Sequence, residues 1–215
     1  FCSWAKWGKL RTMAEGAAEF AAALEASITS SGRPRAVLLS GGGNDSTGDA
    51  LRALINPMGT SPQVLDAGRV VAHVAQLRAY YVQLLSAIGA ALKNKQAESL
   101  VPVLVHGYDH PIPAGQGLPI KQRWLHRPFV DAGYTLPDGT IDLPLAAQAM
   151  RELIDALNTM LIGLQQSFSF VRHVDLRGTI ALHHPGQPVA GWHDDLHPQD
   201  DMFKLMAAKL DAAID

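Results

Sequence analysis

Ala36-Val37-Leu38-Leu39-Ser40-Gly41-Gly42-Gly43-Asn44-Asp45 is the stretch that decides the fold of this 215-residue chain. The apolar run is too short for a helix and ends in three glycines, so it reads as a buried parallel strand whose backbone turns sharply at its carboxyl end. Upstream, Leu10, Met13, Ala14, Ala17, Phe20, Ala21 and Leu24 recur at helical spacing over residues 10–31, and Gly32 with Pro34 stops that helix. Downstream, Val70, Val71, Val74, Leu77, Tyr81, Leu84, Leu85 and Ile88 mark a long helix over about 67–92. Val101 to His106 gives a second strand closed by Gly107. Residues 145–168 return to helical periodicity, 170–174 form a third strand, and Gln199 to Ile214 form a terminal helix. Pro111, Pro113, Gly115, Gly117 and Pro119 punctuate an excursion from Asp109 to Leu143. Its Trp124, Phe129 and Tyr134 are candidates either for an acyl or leaving-group pocket or for packing. Strands separated by long helices imply a parallel sheet with helices on both faces, and no internal repeat interrupts that alternation.

A hydrophobic content of 47% over this length supports one sizeable core and a single domain spanning 1–215. Eighteen basic and 20 acidic residues give a net charge of −2, well mixed along the chain, which argues against a nucleic-acid partner. No apolar run approaches the roughly 18 residues needed to span a bilayer, and the first residues lack a signal-peptide layout, so a soluble chain without a membrane span is expected. A lone Cys2 excludes an intramolecular disulfide and leaves the compartment open. The chain begins Phe-Cys-Ser rather than with Met, which suggests that sequence upstream has been processed away or left out.

In open parallel sheets, functional groups gather beyond the carboxyl ends of the strands, where the triple glycine and Asp194-Asp195-Leu196-His197 both fall. An Asp three residues before a His can fold back so that its carboxylate accepts the Nδ1 proton, leaving Nε2 outward as a base; Asp195 competes with Asp194 for that role. Pro198 suits a first helical position with His197 as the cap and Asp200 and Asp201 in the first turn; the alternative is a plain helix start with a surface histidine. Asn44 can donate to a developing oxyanion, or Asn44 and Asp45 can simply cap a helix starting near Ser46. A phosphate loop is disfavoured because no Lys-Ser or Lys-Thr follows the glycines. His183, His184, His193 and His197 match no metal-ligand spacing, so solvated loop histidines are expected and neither metal nor cofactor is implied. Tyr108-Asp109-His110-Pro111 follows a strand and either lines the same crevice or is an ordinary Pro-terminated turn, the reading preferred here, and no catalytic role is assigned to it.

Together these residues resemble the SGNH (GDSL-type) hydrolase superfamily, whose blocks are a Ser in Gly-Asp-Ser, a Gly, a Gly-x-Asn-Asp and a late Asp-x-x-His. Gly42-Gly43-Asn44-Asp45 matches the third block, Asp194 to His197 the fourth, and Gly8 in Trp4-Ala5-Lys6-Trp7-Gly8 the second. The resemblance implies a flavodoxin-like three-layer α/β/α sandwich with a parallel sheet. It also implies His197 as general base, Asp194 as its orienting partner, and an oxyanion hole from the Gly8 N–H and the Asn44 side chain. The Gly-Asp-Ser block has no match, and only seven residues precede Gly8. Ser3 is a nucleophile candidate by elimination only, with Ser40 and Ser46 weaker still.

In the family's 2-1-3-4-5 strand order the serine strand is interior, so its absence leaves rows of backbone groups unpaired at a cost on the order of 1–3 kcal/mol each. The expectation is therefore an upstream segment, or a second chain, that supplies the first strand and the serine. A small-molecule ester or acylated compound is the expected substrate, cleaved through an acyl-enzyme by a serine esterase, lipase or acetylesterase. The chain by itself is expected to be inactive. The alternative is a non-catalytic member of the same fold that binds a ligand or serves as a scaffold.

Overall fold

The computed structural model describes residues 9–97, 101–117, 123–187 and 189–214. Among them, helices α1 (Leu10–Glu15) and α2 (Ala17–Ser31) precede strand β1 (Val37–Leu39), followed by α3 (Asp49–Leu54) and α4 (Ala67–Asn94). Strand β2 (Val103–His106), helices α5 (His126–Asp131) and α6 (Leu143–Ser167), strand β3 (Val171–Val174), and helices α7 (Thr179–His183) and α8 (Asp200–Ala212) complete the order. All three strands are parallel in the order β1-β2-β3, with Val37 opposite Val103 and Val103 opposite Val171. The chain is thus mixed α/β with a small parallel sheet.

Strand side chains alternate between the two faces of a sheet, and the core divides accordingly. Val37, Leu39, Val103, Val105 and Val171 join Leu84, Ile88, Leu92, Leu157, Leu161 and Leu164 of α4 and α6 on one face. Leu104 and Val174 join Ile180, Met202 and Met206 of α7 and α8 on the other. Helix α4 is long because its apolar positions recur at helical spacing, and Asp66 caps it by accepting from Arg69 N–H at 2.8 Å. Asp142 does the same for α6, whose Pro144 lies in the first turn, where a missing N–H costs nothing. Under the sheet's carboxyl end, fully buried Asn158 of α6 donates to Ile154 O at 2.9 Å, and its Oδ1 lies 3.0 Å from His173 Nε2.

Several expectations change on contact with the structure. The single helix expected over 10–31 is two helices meeting at Gly16, which closes α1 and opens α2. Asn44 and Asp45 do not cap a helix near Ser46: α3 starts at Asp49, and Asp45 reaches across the fold to accept from Leu10 N–H at 2.6 Å. The N-cap of α8 is Gln199 rather than His197, because Pro198 is held in a bridge to Trp192. The excursion after β2 contributes to a second core rather than only to a cleft. Phe129 and Tyr134 are buried edge to face at 6.5 Å and pack with Leu51, Leu54 and Leu65 against the amino-terminal half of α6.

β1 is an edge strand. Only β2 pairs with it among the described residues, and Leu38, on the α8 side of the sheet, is 57% exposed. Leu38 thus leaves an apolar side chain in water on a strand that is paired on one side only among the described residues.

Candidate functional site

The loop that carries Asp194 and His197 is closed before any side chain of α8 is considered. Trp192 bridges Pro198, His193 N–H donates to His197 O at 2.8 Å, and Gln199 N–H donates to Gly191 O at 2.8 Å. A Cβ on Gly191 would stand 2.6 Å from Ile180, so only glycine lets the loop seat here. At the head of the loop the Asp194 carboxylate accepts from Leu196 N–H at 2.8 Å and His197 N–H at 2.7 Å, an Asx turn that fixes its direction. The same carboxylate lies 2.9 Å from His197 Nδ1, which leaves Nε2 on the far side of the ring. Asp194 is buried, whereas the His197 side chain is about half exposed. Burial pushes the Asp194 pKa up, but the hydrogen bonds from the His197 ring and from two backbone amides outweigh it and hold the carboxyl below its ordinary value. A carboxylate that stays charged and accepts Nδ1–H sets the tautomer in which Nε2 is basic.

Asp195 does something else. Fully buried, it accepts at Oδ2 from Leu125 N–H and His126 N–H, both at 3.1 Å, and so caps the first turn of α5. Burial raises its pKa above the ordinary carboxylate range, against the two backbone hydrogen bonds. The competition between the two neighbouring carboxylates is thus resolved by direction: Asp194 faces the histidine and Asp195 faces the interior.

The glycine turn is braced from every side. Tyr81 donates its hydroxyl to Gly41 O at 2.9 Å, Gly43 N–H donates to Tyr108 Oη at 3.2 Å, and Ser40 is hydrogen-bonded to Tyr108. Ser46 donates to Gly42 O at 2.8 Å and sits 2.9 Å from His73 Nε2. Ser46 thus braces the turn through Gly42 and also meets the His73 ring within hydrogen-bond distance. Gly42 has φ +93°, a conformation that favours glycine.

Asn44 and His197 line one cavity of about 620 Å³, together with Ser40, Ser46, His73, His106 and Tyr108. Burial holds His73 and His106 below the ordinary histidine pKa, which keeps both neutral. Apart from Thr47 and Asp109, the remainder of the wall is largely apolar and runs from Leu153 and Leu157 of α6 to Leu38 of β1 and Phe203, Met206 and Leu210 of α8. The exposed Leu38 of β1 is thus part of the cavity wall. Gly8 and Ser3 lie outside the described residues. Among the described residues no serine hydroxyl hydrogen-bonds the His197 ring, and no group of three His, Cys, Asp or Glu side chains is placed to hold a metal ion.

The histidines expected in loops divide by role. His183 closes α7, His193 contributes its backbone to the Asp-His loop, and only His197 of the four lines the cavity. Asp109, in the turn after β2, is buried and accepts from Gly178 N–H at 2.6 Å and Ile180 N–H at 2.7 Å, which anchors α7. Tyr108, just beyond the carboxyl end of β2, lines the cavity, as does His106 at the end of that strand, whereas His73 comes from α4, whose helical periodicity gives no sign of it. No helix among the described residues is long and apolar enough to cross a membrane. The chain matches no family model, no curated protein and no solved structure.

Proposed function

We propose that the chain carries the base and oxyanion part of a serine esterase of the SGNH type, acting on carboxylic esters. The observation that carries this reading is the His197 Nδ1 to Asp194 carboxylate contact of 2.9 Å at the rim of a cavity that Asn44 also lines. In the reaction, a serine hydroxyl gives its proton to His197 Nε2 while its oxygen attacks the ester carbonyl. The resulting oxyanion takes hydrogen bonds from donors that include Asn44. Collapse breaks the bond to the alcohol, which leaves with the proton from His197, and a water activated by the same base releases the acid.

The serine comes from a strand that pairs with the outer edge of β1. The exposed Leu38 and the apolar wall of α8 beside it support this, since such a strand would cover both. The test is a fusion of a strand ending in Gly-Asp-Ser to the amino terminus, treated with a fluorophosphonate probe beside the isolated chain. We expect labelling of the added serine, abolished by His197→Ala, and none in the isolated chain. A labelled serine within residues 1–215 of the isolated chain, or ester cleavage that survives His197→Ala, overturns the reading.

One observation favours a second reading, a ligand binder without turnover: among the described residues the hydroxyls of Ser40 and Ser46 are engaged with Tyr108, Gly42 and His73, and neither bonds the His197 ring. Saturable binding of an acyl ester to the fusion with no product release would favour it.

A further inference from the structure

The turn before α5 touches both motif-bearing loops. Gly48 N–H, just beyond the glycine turn, donates to Trp124 O at 2.9 Å, and Leu125 and His126 donate to Asp195, the neighbour of Asp194. Between those anchors the Trp124 indole stands edge to face with the His197 imidazole, ring centroids 6.3 Å apart and planes at 84°. Offset and edge-to-face pairs are the favoured aromatic arrangements and add about 0.5–1.5 kcal/mol beyond burial. Asp194 holds Nδ1 of the His197 ring through hydrogen bonds alone, which still leaves the half-exposed ring room to librate about χ1 and χ2. A second contact perpendicular to the ring plane restricts that motion.

We propose that Trp124 is a positioning residue for His197, with Asp195 as the strut that holds Trp124 in place. The proposal rests on the reading of His197 as the base. Trp124 does not line the cavity, whereas His197 does, so the indole backs the imidazole from outside and leaves Nε2 open to a substrate. Asp195 would act at one remove, since losing its two acceptor bonds frees the turn that carries the indole.

The test reads the imidazole directly and needs no turnover, so it remains decisive if the esterase reading fails. In the isolated chain, the His197 ring resonances and the exchange rate of its Nδ1 proton are followed by NMR in wild type, Trp124→Phe, Trp124→Leu and Asp195→Ala. Wild type and Trp124→Phe are expected to hold the Nδ1 proton in slow exchange with ring-current-shifted His197 signals. Trp124→Leu is expected to speed exchange roughly tenfold and average the signals. Asp195→Ala should do the same although the indole is retained. Leu keeps apolar bulk, so folding is preserved while the aromatic face is lost. Equal exchange in Trp124→Leu and wild type, or equal loss in Trp124→Phe and Trp124→Leu, overturns the proposal. In the active fusion, kcat should fall with KM unchanged in Trp124→Leu and recover in Trp124→Phe. A fall confined to KM counts against positioning.

Discussion

Gly43→Ala puts a methyl group where the glycine turn has no room for one. A Cβ built on Gly43 stands 2.7 Å from Cζ and Oη of Tyr108 and 3.1 Å from Cε2, so the phenol ring must retreat by several tenths of an ångström. It cannot do so freely: Gly43 N–H and Ser40 both bind its oxygen, and the His106 ring lies edge to face at 5.9 Å. Overpacking of this kind costs about 1–3 kcal/mol. The clashing atoms are all absent from leucine, so a Tyr108→Leu background removes the close contacts that crowd the methyl. Gly43 does not have positive φ. There, Gly→Ala should change sign and stabilise by about 0.4–1 kcal/mol, because alanine has fewer unfolded conformations to lose. The four proteins of the cycle, measured by urea unfolding, are expected to give a coupling energy of about 2 kcal/mol or more. Gly43→Ala costing the same in both backgrounds, within about 0.5 kcal/mol, would refute the claim that the phenol ring is what excludes a side chain here.

Three further outcomes are expected. Asp194→Asn should destabilise by about 1–3 kcal/mol near neutral pH through weakened charge-assisted bonds. The Asp194 pKa is lowered by folding, so its contribution is complete above the unfolded value of about 3.9 and is lost as pH falls through the native one. The gap between wild type and Asp194→Asn in urea midpoint should therefore close on acidification; a gap that stays constant to pH 2 would count against the pairing. Asp195→Ala leaves two backbone N–H groups at the start of α5 without their acceptor and should cost about 2–4 kcal/mol, whereas Asp195→Asn keeps an oxygen there and should lose less. Identical thermal midpoints for the Ala and Asn variants would contradict this. Leu38→Lys should shift the stability of the isolated chain by no more than about 0.5 kcal/mol, given its exposure, and reduce serine labelling in the strand fusion. Undiminished labelling would show that the added strand does not cover Leu38.

The long elements were legible because their signal is local. Helices α4 and α6 carry their own periodicity and caps, β1 and β2 are largely apolar runs bounded by glycine or polar residues, and β3 is a short β-branched segment following Phe170. The Asp194 to His197 pairing was legible for the same reason, since three residues of spacing are enough for an Asx turn to bring them together. Helices α5 and α7 are not in the sequence reading, and α3 enters it only as an alternative starting near Ser46, three residues early. Each is five or six residues long, and two of them begin on carboxylates far away in the chain: α5 on Asp195, α7 on Asp109. Their stability is tertiary. Likewise Asp45 gives no sequence sign that its partner is Leu10, 35 residues earlier, and Trp124 gives none that it meets His197. The break at Gly16 was hidden because apolar spacing continues across it.

The brevity of β1 sets a limit on what can bind beside it. Three residues offer about two or three outward-facing ladder bonds, each worth about 1 kcal/mol net, against an association cost of at least about 4 kcal/mol for two free molecules. A loose peptide would therefore gain too little from main-chain pairing to remain, and neither would a neighbouring copy offering only its own short border. Any lasting guest must arrive already tethered, or win its hold from greasy contacts with Leu38 and Phe203. The same arithmetic protects the chain, since a border this short is a poor seed for fibrous self-assembly.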